Sequence, residues 1–290
     1  MKNIRKAWWL LLVAAGCGSP AKDTSFSPFT EGVSLGEVSK VLEEASGLVA
    51  SVRNPGYLWV INDSGNPSNV YLIDTTATIV FQCSLQIKNR DWEDIAIGPG
   101  PEENKTYVYV GDIGDNEGKF PLKFIYRFEE PLWKGGSREK DIEKFDTLII
   151  RLPDGSRDSE AFTINPATKD LFLFSKREDS IHVYVSHFPI TADTLVPQRV
   201  AILPYQLVVA ADFSTSGTEF LLKTYENIYY WKKTEGINDV QMLMIPPTVL
   251  PYEREPQGES IAWARDGSGY FTLSETTKHG GGVLYFYQRK

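Results

Sequence analysis

Five acidic side chains stand at or just before the start of apolar, strand-like runs, and this placement is what gives the sequence chemical potential. They are Glu93 and Asp94 in Trp92-Glu93-Asp94-Ile95-Ala96-Ile97, Glu160 in Ser159-Glu160-Ala161-Phe162, Asp212 in Ala211-Asp212-Phe213-Ser214, and Glu259 in Gly258-Glu259-Ser260-Ile261. Asp91 and Asp158 lie just upstream of two of these runs, while Asp63, Asp112, Asp115 and Glu275 close the runs that follow. Oxygen donors without thiols or paired imidazoles suit a hard divalent ion, Ca²⁺ first, or acid–base work. Gathering them is costly: two carboxylates about 6 Å apart repel by roughly 3 kcal/mol at an effective dielectric of 20. Such a group needs a cation, a shared proton or basic partners, and Arg90, Arg157, Lys176 and Lys223 are candidates for the last role. Ion pairing within the fold is therefore the competing explanation for the acidic set.

The elements that must bring these groups together are short strands in a repeat. Anchored on Leu48, Ile95, Phe162, Phe213 and Ile261, the pattern recurs at roughly 50-residue intervals, with a longer one after Ile95. Ser46-Gly47-Leu48 is a first copy without the acid. Repeats of this length filled with alternating apolar residues and turn dipeptides predict an all-β fold, a single β-propeller of four-stranded blades. The third repeat reads as strands over 160–165, 170–176, 181–186 and 198–203, and the fourth ends on a strand over 240–245. The fifth is one strand short, and an unpaired edge is a liability. Residues 32–38 fill that place, so an N-terminal strand closes the ring. Five blades are expected, and a sixth hidden in the long second repeat, near the insertion 133–141, is the alternative.

In each blade the start of the innermost strand and the end of the second lie at one end, because the two are antiparallel. The acidic positions thus converge on one mouth of the central channel. On this geometry Glu93, Glu160, Asp212 and Glu259 hold a divalent cation, with Ca²⁺ the first choice. Asp91, Asp112 or Glu275 acts as base toward metal-bound water. Arg90 and Arg157 fix an anionic substrate, and Asp63, Trp92 and Lys176 line the ligand site, Trp92 offering a stacking face. Asp112-x-x-Asp115-Asn116-Glu117 has the composition of a calcium loop without EF-hand spacing. His182, His187 and His279 lack a second ligand at zinc-motif spacing. Cys83, in an apolar strand, reads as a small buried hydrophobe.

The ends define the domains. Lys2, Arg5 and Lys6 precede the apolar run Ala7 to Val13, and Ala14-Ala15-Gly16-Cys17 follows. This reads as a secretory signal over 1–17, and it resembles a bacterial lipobox, which implies lipid attachment at Cys17. An ordinary secretory signal is the alternative. Residues 18–31 read as a flexible tether and 32–290 as the propeller. The expected location is the bacterial cell envelope, membrane-anchored by lipid, on the periplasmic side or the cell surface. A net charge of −8, with no basic stripe, argues against nucleic acid as a partner.

The set Asn62-Asp63-Ser64-Gly65, Asn89-Arg90-Asp91-Trp92-Glu93-Asp94-Ile95-Ala96, Tyr109-Val110-Gly111-Asp112-Ile113-Gly114-Asp115-Asn116, Asp158-Ser159-Glu160-Ala161 and Glu255-Pro256-Gln257-Gly258-Glu259-Ser260-Ile261 resembles a family of bacterial secreted propeller proteins, from which no activity carries over. More distantly the repeat is similar to phytase-like and regucalcin-type propellers, a resemblance that implies a central acidic site for calcium or another divalent ion. The functional expectation is a propeller binding a divalent cation and a small polar ligand at the acidic mouth, as a metal-dependent hydrolase of a phosphoester, ester or lactone. A non-catalytic ligand-binding or scaffold propeller and a glycosidase with paired carboxylates are the alternatives.

Overall fold

Runs such as Tyr57-Leu58-Trp59-Val60-Ile61-Asn62 are continuous apolar and β-branched, the pattern of strands covered on both faces. In the computed structural model, which describes residues 27–190 and 194–290, they form five antiparallel blades around one axis. Blade one comprises Ala45–Ala50, Tyr57–Asn62, Asn69–Asp74 and Ile79–Leu85. Blade two comprises Trp92–Pro99, Thr106–Asp112, Lys123–Glu129 and Asp146–Ile150. Blade three is Ser159–Ile164, Leu171–Ser175, Ile181–Ser186 and Gln198–Leu203. Blade four is Val208–Phe213, Glu219–Thr224, Ile228–Lys232 and Thr248–Leu250.

Blade five uses Ser260–Trp263, Gly269–Leu273 and Val283–Gln288, and takes its outer strand from Val33–Glu37. Val33 faces Phe286 and Glu37 faces Val283 in an antiparallel ladder, so the ring closes as its unpaired edge requires. The innermost strands touch in sequence around the ring, and those of blades two and four also meet across the axis. Small residues permit this approach. A Cβ on Gly47 would lie 2.9 Å from the Ile95 nitrogen of the next blade.

Each interface between neighbouring blades carries its own apolar core. Between blades four and five, Phe29 packs on Tyr230, Trp263 and Tyr270 at ring separations of 5.1 to 5.8 Å. Composition placed Phe29 in the tether, but its ring is fully buried and its backbone bridges to Arg289. Phe29→Ala should therefore cost about 3–5 kcal/mol of unfolding free energy in a urea titration. The tether's beginning, the signal and Cys17 lie outside the described residues. Lys290 N–H donates to the Pro28 carbonyl, and Arg289 N–H to Ser268 in the turn after the innermost strand of blade five. The chain thus enters the fold on the face opposite the starts of the innermost strands.

Two expectations are corrected. The long second repeat holds no sixth blade: its insertion forms Glu139–Ile142, which pairs parallel to the outer strand of blade one. The run expected as the outer strand of blade four instead holds a helix, Asp239–Leu243. Asn238 accepts from Gln241 N while the Gln241 side chain accepts from Asn238 N, a capping box that starts the turn. Cys83 is buried as expected, and burial pushes its thiol up to about 12.

Candidate functional site

Ladder irregularities aim the acidic side chains. The pairing slips between Ala45 and Gly47, between Trp92 and Asp94, and between Ser159 and Ala161, leaving Ser46, Glu93 and Glu160 as unpaired bulge residues. A bulge turns its extra residue off the pleat. Glu93 and Glu160 come within Coulombic range of each other and of Glu259, which immediately precedes the innermost strand of blade five. Glu93, Glu160 and Glu259 therefore share one mouth.

Asp212 does not join them. In blade four the slip falls between Val208 and Ala210, so Ala211 facing Leu222 corresponds to Ile95 facing Val110 and Phe162 facing Leu173. The repeat frame anchored on Phe213 is two residues late, and Asp212 sits one full pleat deeper in the channel. Its carboxylate accepts from Trp263 N at 2.8 Å and links blade four to blade five. Burial raises it to about 7. Asp94 has a related role: it accepts from Ile95 N at 2.8 Å and from Phe162 N at 3.0 Å, and also bonds the Ala211 N–H of blade four. Burial pushes Asp94 well above the usual carboxylate range.

One wall of the mouth is predominantly acidic, with only Arg90 and Lys123 reaching Asp91 by charge among the described residues. Asp63, Asp91 and Glu93 each place a carboxylate oxygen within 4.8 Å of the other two. Glu93 is 6% exposed, and its carboxylate makes no hydrogen bond or ion pair among the described residues. Burial, then the charges of Glu160, Asp63, Asp91 and Glu259, hold it well above the ordinary range. Burial raises Asp63 to about 6, with the Asp91 and Glu259 charges adding to it, and burial followed by the Asp158 charge raises Asp91. The Gly114 backbone lies against this trio: a Cβ there would meet Glu93 Oε1 at 2.2 Å and Asp91 Oδ2 at 2.3 Å. Gly114→Ala should push both carboxylates aside, so any divalent ion held by this trio should bind about tenfold or more weakly in the variant, read by calorimetric titration.

The facing wall is a hydrogen-bonded chain. Lys176 pairs with Glu160 and donates to Tyr225 Oη at 3.0 Å, and Tyr225 donates in turn to Glu259. Glu275 shares a hydrogen bond with Glu259. Burial holds Glu160 near 8 against the pull of Lys176, and burial together with the Glu259 charge holds Glu275 near 8. Tyr225 is a mouth residue that sequence reasoning missed. It stands three positions beyond Leu222, where Lys176, Asp63 and Glu275 stand in their own blades. The correct frame for blade four would have found it.

The remaining predicted residues are engaged elsewhere. Asp112, fully buried, holds Arg90 at 2.9 Å, and Arg90 also donates to the Asp112 and Leu122 carbonyls and lies over Phe120. Neither is free to act as base or anion clamp. Arg157 is held by Glu178 at 2.6 Å and Asp154 at 3.3 Å. Trp92 has no exposed surface and packs against Tyr126 inside the first core, so it offers no stacking face. The Asp115 carboxylate closes its own loop on Lys119 N and Phe120 N, so that loop is tied by its backbone. Lys223 is buried beneath the mouth on Tyr252 and Gly258, and burial lowers it to about 8.

The strand order and ring closure define the chain as a five-bladed β-propeller. No protein-family profile and no curated protein matches the sequence. Solved structures similar to it include the Dos1 propeller, at 10% identity and a TM-score of 0.42, over 84% of this chain and 68% of that one. A nidogen/laminin complex is similar at 9% identity and a TM-score of 0.45, over 79% and 72%. The RRP9 WD40 repeats are similar at 8% identity and a TM-score of 0.42, over 84% and 79%. Likeness at this level transfers no residue role and no activity.

Proposed function

We propose that this propeller binds a divalent cation at Asp63, Asp91 and Glu93, and that the cation holds a small polar, anionic ligand against the facing wall. The observation that carries this reading is Glu93: a buried carboxylate, among other carboxylates, with no partner of its own among the described residues. An uncompensated buried charge of this kind is sustained by a proton or a bound cation. All donors are carboxylate oxygens, which favours Ca²⁺ over softer ions.

The hydrolytic form of this reading draws on the second wall. Glu160 and Glu275 titrate near 8, within reach of proton transfer at neutral pH, and a cation beside them would lower the pKa of its bound water. In this assignment Glu275 is the base, the bound cation meets the anionic group of a phosphoester, ester or lactone while Lys176 stays on Glu160 and Tyr225, and Asp91 moves from base to ligand. The envelope location rests on the N-terminal sequence. Entry of the chain on the far face would then point the mouth away from the membrane.

Elemental analysis after dialysis against Ca²⁺, Mg²⁺ and Mn²⁺ tests the reading. The protein should retain about one ion per chain and the Glu93→Gln variant none. Equal metal content in the two would remove it. A chelator should abolish any hydrolysis of aryl phosphate or ester probes, which separates this reading from a glycosidase.

A further inference from the structure

At the opposite end of the ring from the acidic mouth, a groove of ≈ 470 Å³ opens between blades five and one. Its size falls in the roughly 300–1,000 Å³ range of small-molecule sites. Leu35, Ala50, Val52, Leu58, Phe271 and Phe286 supply an almost continuous apolar lining. Leu35, Val52 and Phe286 are only half-buried by the described residues. The rings of Phe271 and Phe286 pack 4.8 Å apart and form one stiff wall.

A single cation completes the lining. Arg265 borders the groove half-exposed; its side chain makes no hydrogen bond or ion pair among the described residues, and acts on the buried Asp212 carboxylate only through its charge. Its neighbour Asp266 does not neutralise it by contact, since that carboxylate is turned onto the Ser268 N–H of its own turn at 2.9 Å. An apolar slot with one unpaired guanidinium complements a ligand with a long apolar body and one anionic end.

From this geometry we infer that the groove binds a single-chain anionic amphiphile of the fatty-acid class, its chain against Phe271 and Phe286 and its carboxylate on Arg265. The site is independent of the acidic mouth and requires no metal. Affinity comes from the buried chain, and selectivity for an acid over an alcohol comes from the arginine.

Calorimetric titration of the purified protein with dodecanoate and with dodecanol, in the presence of a chelator, tests the assignment. Dodecanoate should bind saturably at one site and more tightly than dodecanol. Arg265→Gln should weaken dodecanoate on the order of tenfold and leave dodecanol unchanged. Val52→Trp should fill the slot and abolish both. Ser268→Trp, at an exposed turn position lining the same groove, does the same should the first variant fail to fold. Absence of saturable binding, binding that survives both tryptophan variants, or unchanged dodecanoate affinity in Arg265→Gln would each overturn the proposal.

Discussion

Asp94→Ala will lower the unfolding free energy by about 3 kcal/mol or more, the largest loss expected from one side chain at the axis. Asp94 collects backbone N–H groups from three innermost strands, those of Ile95, Phe162 and Ala211, at a place no strand ladder reaches. Removing the acceptor strands buried donors, each costing about 1–3 kcal/mol. Asp94→Asn retains one acceptor oxygen and imitates the protonated acid that burial favours, so its loss should be smaller. Urea unfolding at pH 7 reads both variants. A loss within roughly 0.5 kcal/mol for the alanine variant, the range of an ordinary surface change, would show that the axis is held by packing alone.

The second large effect is the dependence of stability on pH and cation. Unfolded Asp and Glu titrate near 4. In the fold Asp63 is held near 6 and Glu160 and Glu275 near 8, with Asp91 and Glu93 raised as well. Between these limits the native state binds more protons than the unfolded chain. Stability from these groups is therefore complete below about pH 4 and is lost as pH rises from there to the folded values, about 6 for Asp63 and about 8 for Glu160 and Glu275, by ~1.4 kcal/mol per pH unit for each excess proton. Lys176 opposes the trend at Glu160, and Glu44 and Glu259 reinforce it at Glu275.

A divalent cation at Asp63, Asp91 and Glu93 replaces the protons held there, so its apparent affinity should climb as pH rises through the raised values of these three groups. At a hundred times its dissociation constant it would add about 2.7 kcal/mol, or roughly 5–10 °C in melting temperature for a chain of this size. Thermal melts at pH 5.5 and 8, with chelator or with Ca²⁺, should show a melting point that falls with pH and recovers only with the ion. In Glu93→Gln the chelated protein at pH 8 should melt higher than the parent, and Ca²⁺ should add nothing.

Much of the frame was legible because strands announce themselves by alternation and a propeller repeats them. The closing strand at Val33–Glu37 followed from counting one edge too few in the last repeat. Where the reading slipped, the cause is local. A two-residue error of frame leaves every side chain on the same face, so nothing in the alternation of Ala211-Asp212-Phe213 warned that Asp212 was too deep. The apolar run from Val240 fits a helix turn or a strand equally, and only the Asn238 and Gln241 cap decides it. Arg90 and Asp112 looked free because their pairing joins the segment before the first strand of blade two to the end of the second, a contact set by register. Bulges are likewise invisible in one sequence, yet they bring Glu93 and Glu160 to the mouth.

The most direct test is a calorimetric titration of Ca²⁺ into the chelator-treated protein, the Asp212→Asn variant and the Glu93→Gln variant at pH 7.5. If an ion completes the wall formed by Asp63, Asp91 and Glu93, the first two bind one Ca²⁺ each and the third gives no binding heat. Saturable binding of equal strength in all three, or none in the parent protein, would contradict the assignment.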